Sequence, residues 1–448
     1  MKPHPEAAPA DAARPRFEFG ERRFDVKSGR LSLHYRLIEA RGRTDFEERF
    51  DFGPPARTAD PDALDAALDL LHWIAGVSYW KARCGGAVGF AWRRPDAWQA
   101  RALEDIYRGG LAELAWRNRL DRRYWPPFDG DAEARAAPAP ARGLSDAVLV
   151  PMGGGKDSLV TLERVRAAGT ELQTVQIGNA AVIERVAARA GTRHRRIARR
   201  LAPELADLTA AGALNGHVPI TAINAAALTV AALLWDAGAV VFANERSADE
   251  PTLVAPDGAP VNHQFAKSFE FEQLFDRWVR RYVAADLAVF SLLRRDRELA
   301  VCREFAGLPR YHDVFSSCNR NFHLDGPRTA RWCANCPKCR FVFLGLAPFM
   351  QPGALRAIFG RDLLDDPGQC DGFASLLALD RPRPFECVGE ADEARAALAL
   401  LAAAPAWRRH AVVAALGPRL TGVPVPSADR LMRPSGPHCI PERFLRCV

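Results

Sequence analysis

The chain has 448 residues, 48% of them hydrophobic and 26% charged, the balance of a folded globular protein rather than a disordered, collagen-like or coiled-coil chain. At roughly 100–200 residues per domain it has room for about two to four domains. With 61 Lys and Arg against 54 Asp and Glu, the net charge of +7 favours an anionic partner, either nucleic acid or a phosphorylated small molecule.

Residues 1–15 contain no apolar run of the kind a signal peptide needs and read as disordered. Residues 16–52 alternate: Leu31, Leu33, Tyr35 and Leu37 share one strand face, Phe46, Phe50 and Phe52 mark another strand, and Lys27-Ser28-Gly29 supplies a turn. This predicts a small antiparallel meander. Leu64, Leu68, Leu71 and Ala75 then recur at helical spacing within 61–82, and a further helix is expected near 97–120. Residues 16–123 therefore read as an N-terminal α+β domain. The stretch YWPPFDGDAEARAAPAPARG opens a linker over 124–145.

Beyond the linker, DAVLVPM (146–152), LQTVQIG (172–178) and AVVFAN (239–244) are short apolar strands separated by helical patterns, with an apolar helix over 217–235 and a long one over 263–284. Strands alternating with helices predict an α/β, doubly wound parallel sheet, here over 146–350, followed by an Ala-rich helical region over 351–448. The uncharged stretch from Val218 to Trp235 includes Pro219, Thr221 and Asn224. A membrane span needs about 20 strongly apolar residues, so this is a buried helix; no membrane is expected, and the expected location is cytoplasmic. The basic run RHRRIARR (193–200) could attract nucleic acid, but only six of the basic residues are Lys. In so Arg-rich a chain the run carries little weight, and no nucleic acid is expected.

Two motifs carry chemistry. In VLVPMGGGKDSLVTLERV, glycines stand between a strand and a helix, where backbone N–H groups can approach an anion and the helix dipole favours phosphate. The Walker loop fails because Asp157 follows Lys156, and the dinucleotide fingerprint fails because its last Gly falls on Ser158. What remains resembles the PP-loop of the ATP pyrophosphatases, a small residue followed by Gly-Gly-x-Asp-Ser. Here Gly154-Gly155-Lys156-Asp157-Ser158 matches, with Gly153 where Ser is usual. That resemblance implies ATP binding by Gly153 to Ser158, AMP transfer to an acceptor, Mg²⁺ held by a carboxylate such as Asp157, and Lys156 neutralising the leaving pyrophosphate.

The second motif is Cys318, Cys333, Cys336 and Cys339, spaced C-x14-C-x2-C-x2-C. Four thiolates in overlapping knuckles suit a closed, structural Zn²⁺ site; a [4Fe–4S] cluster takes the same ligands and is the alternative. A like-spaced cluster closes the PP-loop domain of the 7-cyano-7-deazaguanine synthases. Further candidates follow from position. Glu245, Arg246 and Asp249 in NERSADE lie just after the third strand, where doubly wound sheets bind ligands. His217 stands at a helix entrance, and His263 and Lys267 stand four apart on a predicted helix.

Taken in order, FEFGERRFDVKSGRLSLHYRL, LLHWIAGVSYWKA, PMGGGKDSLVTLE, GHVPITAIN, NERSADE, NHQFAKSFEFE and WCANCPKCRFVFLGLAPF look like the UDP-N-acetyl-α-D-muramoyl-L-alanyl-L-glutamate epimerases of the MurL type, over most of residues 16–350. The resemblance implies ATP- and Mg²⁺-dependent inversion of the terminal L-Glu of UDP-N-acetylmuramoyl-L-Ala-L-Glu in peptidoglycan synthesis, with AMP and pyrophosphate released. It also implies an N-terminal domain that helps hold the UDP-sugar dipeptide, for whose diphosphate Arg is suited. Its proton-transfer groups are not identified by the sequence: His217, Glu245, Asp249 and His263 are candidates by position, and nothing singles out a Cys outside the cluster. Two other readings stand beside it, another PP-loop enzyme such as a nitrile synthase or a tRNA-modifying ligase, and a zinc-bearing nucleic-acid-binding protein.

Overall fold

A computed structural model describes residues 15–40, 42–122, 125, 127–132, 138–322 and 331–447. Apart from Pro15, the expected disordered start lies outside the described residues, as do parts of the 124–145 stretch and of the interval between Cys318 and Cys333. The chain opens with strands β1 (Arg16–Asp25), β2 (Arg30–Glu39) and β3 (Gly42–Asp51). Helices α1 (Pro61–Ala75) and α2 (Val77–Trp80), strand β4 (Ala87–Phe90), and helices α3 (Ala97–Gly110) and α4 (Ala112–Arg117) follow. Then come β5 (Val148–Pro151), α5 (Lys156–Ala167), β6 (Leu172–Ile177), α6 (Ala181–Ala190), β7 (Arg193–Arg200), α7 (Glu204–Ala210), α8 (Ile220–Trp235) and β8 (Ala239–Phe242). The hairpin β9 (Leu253–Val254) and β10 (Pro260–Val261) leads to α9 (Phe269–Trp278), β11 (Ala288–Ser291) and α10 (Glu298–Ala306). Among the described residues the α-helices α11 (Pro337–Leu346), α12 (Pro352–Phe359), α13 (Cys370–Leu376), α14 (Ala391–Ala403), α15 (Ala411–Leu416) and α16 (Ala428–Leu431) follow.

Among the described residues nine strands form one sheet, in the order β11-β8-β5-β6-β7-β3-β2-β1-β4. The five from β11 to β7 are parallel. The chain lays β6 and β7 to one side of β5, then β8 and β11 to the other, so the order reverses between β5 and β8. Ligands of open α/β sheets bind above the strand ends at such a switch point. The meander joins this sheet directly, because β3 pairs antiparallel with β7 through Arg49↔Arg200, Phe50↔Arg199 and Asp51↔Ala198. The basic run 193–200 is thus β7, an inner strand. Its arginines serve the sheet: Arg195 Nε donates to Gln173 Oε1 at 2.8 Å, and Arg199 Nε to the buried Glu48 carboxylate at 2.6 Å.

Period-two alternation gives the sheet two cores. Leu149, Val240 and Val289 face a cluster with α1, α8, α9 and the meander's aromatics. Val148, Val150, Val241 and Phe290 face a second cluster with α5, α10, α11 and the C-terminal helices. Helix α8 is apolar around nearly its whole circumference and buried accordingly. No helix among the described residues is long and apolar enough to cross a membrane. Of the 124–145 stretch, Trp125, Phe128 and Ala139 are buried, and Asp286 accepts the backbone N–H groups of Arg142 and Leu144, so the described part packs on the body.

The helix expected over 263–284 is broken. Lys267 ends a 3-10 turn, Phe265–Lys267, that starts two residues after His263. Ser268 then caps α9 by accepting the Phe271 N–H at 3.2 Å, and a π-helical turn, Val279–Val283, ends it. A Ser that supplies the helix start cannot also lie inside a continuous helix.

Candidate active site

The glycine loop lies at the switch point. Strand β5 ends at Pro151, and Gly155 is the N-cap of α5 without a side chain to satisfy the helix's first N–H groups, which leaves them for an anion. Gly154 has φ +77°, and its carbonyl accepts the Ser316 N–H at 2.9 Å. A Cβ on Gly153 would meet nothing within 4 Å. Gly153→Ser is therefore expected to leave the denaturant midpoint unchanged, while Gly154→Ala is expected to cost about 1–2 kcal/mol, the usual penalty for a side chain in the left-handed region.

Beneath the loop is a cluster of charges. The Lys156 side chain is 0% exposed, and a buried ammonium needs partners. It ion-pairs with Asp157 and with Glu298, the first residue of α10. Glu298 also accepts from Lys338 at 3.5 Å. Glu245, three residues beyond β8, is 3% exposed; burial, then the neighbouring Glu298 and Asp157, push its carboxyl up to about 7. Carboxylate oxygens of Asp157, Glu245 and Glu298 lie within 4.8 Å of one another. The donor set is all oxygen and rich in negative charge, so it fits a hard divalent cation. Burial works against the Asp157 carboxylate, but Lys156, Lys338 and Lys267 together hold it below its usual range. Glu393 on α14 braces the floor: it accepts the Ser247 hydroxyl at 2.6 Å and the Leu299 N–H at 2.8 Å.

A second cluster adjoins the first. Glu113 on α4 hydrogen-bonds His263, and the His217 and His263 rings lie 4.2 Å apart. Burial, then His263, lower His217 to about 4. Burial also acts against protonated His263, but hydrogen bonds to Cys387 and Glu113 outweigh it and raise its pKa to about 9. Arg117 donates to the other Glu113 oxygen at 2.6 Å, so Glu113 is bonded to both Arg117 and His263. Lys267 links the two clusters, since its charge is favoured by Cys387 on one side and by Glu245, Asp157 and Glu298 on the other.

Of the residues anticipated from sequence, Lys156, Asp157 and Glu245 come together, and His217 and His263 meet next to them. Asp249 faces elsewhere: it accepts the Phe269 N–H at 2.6 Å and lies 3.6 Å from Arg294. Lys156 is turned inward, which makes Lys267 the more open lysine. The sequence reading missed Glu298, an ordinary helix-start glutamate, and Cys387, in a Pro-flanked loop.

The four clustered cysteines are gathered, their sulfurs within 4.8 Å of one another, with Cys333–Cys339 at 3.7 Å and Cys336–Cys339 at 3.4 Å. Cys336 caps α11 and Pro337 starts it, so the knuckle grows from a helix N-terminus. Four thiols at this separation could hold a structural metal.

Along α4 and the β9–β10 hairpin runs a cavity of about 830 Å³, lined by Arg108, Arg117, Arg119, Arg122, Trp116 and Phe385 among others.

Residues 9–292 match the family model described as the MurL N-terminal domain, and residues 314–430 that of the MurL C-terminal domain. Three curated relatives carry the name UDP-N-acetyl-α-D-muramoyl-L-alanyl-L-glutamate epimerase. The one from Xanthomonas oryzae pv. oryzae is 49% identical over 356 residues, 79% of this chain and 78% of its own. Those from Salinispora tropica and a Micromonospora species are 38% and 39% identical, each covering 96% of this chain and 94% and 97% of their own length.

Proposed function

The chain belongs to the MurL family, and from that premise we propose that it inverts the terminal L-Glu of UDP-N-acetylmuramoyl-L-Ala-L-Glu to D-Glu by first adenylating its carboxylate with ATP. It is an epimerase of the peptidoglycan precursor pathway. The observation that carries the ATP step is the set of three carboxylates, Asp157, Glu245 and Glu298, under a glycine loop at the sheet's switch point.

A free carboxylate is already anionic, and removing its α-proton would build a dianion. As a mixed anhydride with AMP, the acyl group can take up the carbanion's charge. The loop's N–H groups grip the phosphates, in the manner of the PP-loop. Asp157, Glu245 and Glu298 would hold Mg²⁺, which when bound neutralises phosphate charge. Lys267 faces the same space with its ammonium retained, suited to the departing pyrophosphate; Lys156 bridges Asp157 and Glu298 from below. The arginine-lined cavity is suited to the UDP diphosphate, and Trp116 and Phe385 to an aromatic base. The four cysteines would hold a structural Zn²⁺. A UDP-linked precursor as substrate favours a cytoplasmic location.

The test is incubation with ATP, Mg²⁺ and UDP-muramoyl-L-Ala-L-Glu in D₂O. Deuterium at the glutamyl α-carbon, formed together with AMP and pyrophosphate, is expected. Inversion that proceeds without ATP would remove the adenylation step.

A further inference from the structure

We propose that the Cys387 thiol, packed against His263 by the loop 383–389, is the group that takes the α-proton from the activated glutamyl residue. The proposal rests on the adenylation reading above and names the proton acceptor that reading leaves open.

The loop runs from the arginine-lined cavity to the carboxylate cluster. Phe385 stacks under the Arg117 guanidinium at 4.9 Å, on the wall of the arginine-lined cavity. Cys387 lies within electrostatic reach of His263 and Lys267. The Val388 carbonyl accepts Gln264 Nε2 at 3.3 Å. Gly389 lies so close to the carboxylate cluster that a Cβ on it would be 3.0 Å from Glu298 Cβ. Cys387 is thus two residues from the cavity on one side and two from the carboxylate cluster on the other. In an acyl adenylate the α-carbon is only three bonds from the α-phosphorus, so a group meant to reach it must stand just outside the phosphate site.

The surroundings prepare a thiolate. Facing Cys387 are His263, Lys267 and Lys338 as cations and Glu386 as a carboxyl; Glu113 and His217 stand behind His263. Burial alone would raise the thiol, but Lys267 and His263 outweigh it and bring Cys387 down to about 6. The opposite happens to two other cysteines. Burial pushes Cys84 up to about 12, and Cys302, though next to Lys156, is also raised. A thiolate oriented by a histidine that is itself oriented by a carboxylate is the arrangement of an activated cysteine, and a base works best with its pKa near the working pH.

In the step, the Cα–H bond breaks and its proton passes to Cys387 Sγ. The electron pair enters the acyl carbonyl of the mixed anhydride as an enolate. A proton then arrives on the opposite face from a solvent-exchanged donor, and water releases AMP.

The test compares full-length wild type, Cys387→Ala and Cys387→Ser in D₂O with ATP, Mg²⁺ and the UDP-muramoyl dipeptide. The expected result is a fall of about 100-fold in α-deuterium per AMP released. A ratio within tenfold of wild type, in either folded variant, overturns the proposal. Wild-type exchange should rise with pH through about 6, as the thiol ionises, and fall above about 9, as His263 loses its proton; a flat profile over that range counts against it. Alkylation of folded wild type with iodoacetamide needs no variant: exchange lost in proportion to Cys387 modification supports the proposal, and exchange surviving complete modification overturns it. Wild type that yields neither AMP nor deuterium would instead remove the adenylation reading, and this proposal with it.

Discussion

Asp157→Asn is expected to lower substrate-dependent AMP and pyrophosphate release by about 10²–10³-fold, the loss seen when one electrostatic contact to a transition state is removed, with little change in the denaturant midpoint. The asymmetry comes from Lys156. Its buried ammonium has two carboxylate partners, Asp157 and Glu298. The Asp157 side chain is 23% exposed, that of Glu298 2%. Without the Asp157 charge, Lys156 keeps its deeper partner, and the loss falls on the proposed phosphate site. Glu298→Gln is expected to behave differently. It leaves Lys156 and Lys338 in a poorly hydrated place with less negative charge between them, a change of about 3–5 kcal/mol when a buried pair is broken. Chemical denaturation and a pyrophosphate assay on the same two variants separate these effects. An Asp157→Asn protein that released AMP at the wild-type rate would refute the nucleotide site.

The parts of this site that were legible in the sequence are those written in consecutive residues. A short apolar run, three glycines and a Lys-Asp-Ser start make a strand, a turn and a helix, and local physics suffices to place them. The cysteine knuckle is similar, because ligand spacing is itself a geometric statement. The alternating meander and the apolar helix α8 could be anticipated for the same reason: period and burial are tied to one another.

What was hidden depends on chain-distant pairing. Glu298 lies 142 residues from Lys156, in a stretch, RRDRELAV, whose charges look like any solvated helix start. Its role exists only because β11 delivers α10 next to β5 and β8. Cys387 comes from the C-terminal region, which reads from sequence as Ala-rich helix, and acquires meaning only against His263 and Lys267. Strand β7 was obscured by its arginines. Strand propensity reflects fit to a half-buried surface, and here Gln173 and Glu48 on neighbouring strands receive the charges, which no local pattern announces. Asp249 shows the converse, a residue in the right segment whose side chain is taken up by the start of α9.

The cysteine cluster carries the second large effect: Cys336→Ser is expected to remove one bound zinc per chain and lower the melting temperature by about 10 °C or more. Structural zinc sites contribute folding free energy directly, and each kcal/mol is worth about 2–4 °C even in a domain of 150–250 residues. Activity should fall with stability, because the cluster is tied to the glycine loop. The Ser316 hydroxyl accepts the Cys318 N–H at 3.1 Å and donates to the Arg331 carbonyl at 2.6 Å, joining the two arms that bring Cys318 and Cys333 together. The Ser316 N–H donates to the Gly154 carbonyl, and the Ser317 hydroxyl lies 2.5 Å from where a Cβ on Gly155 would be. From the other arm, Lys338, between Cys336 and Cys339, reaches Glu298. Loosening the thiols therefore loosens both the glycine loop and the carboxylates beneath it. Metal content by mass spectrometry, a melting curve and AMP release on the same preparation decide the matter. Iron with a visible absorption band would replace zinc by an iron–sulfur cluster, and a Cys336→Ser chain that kept its metal and its melting temperature would show that the four sulfurs do not act as one site.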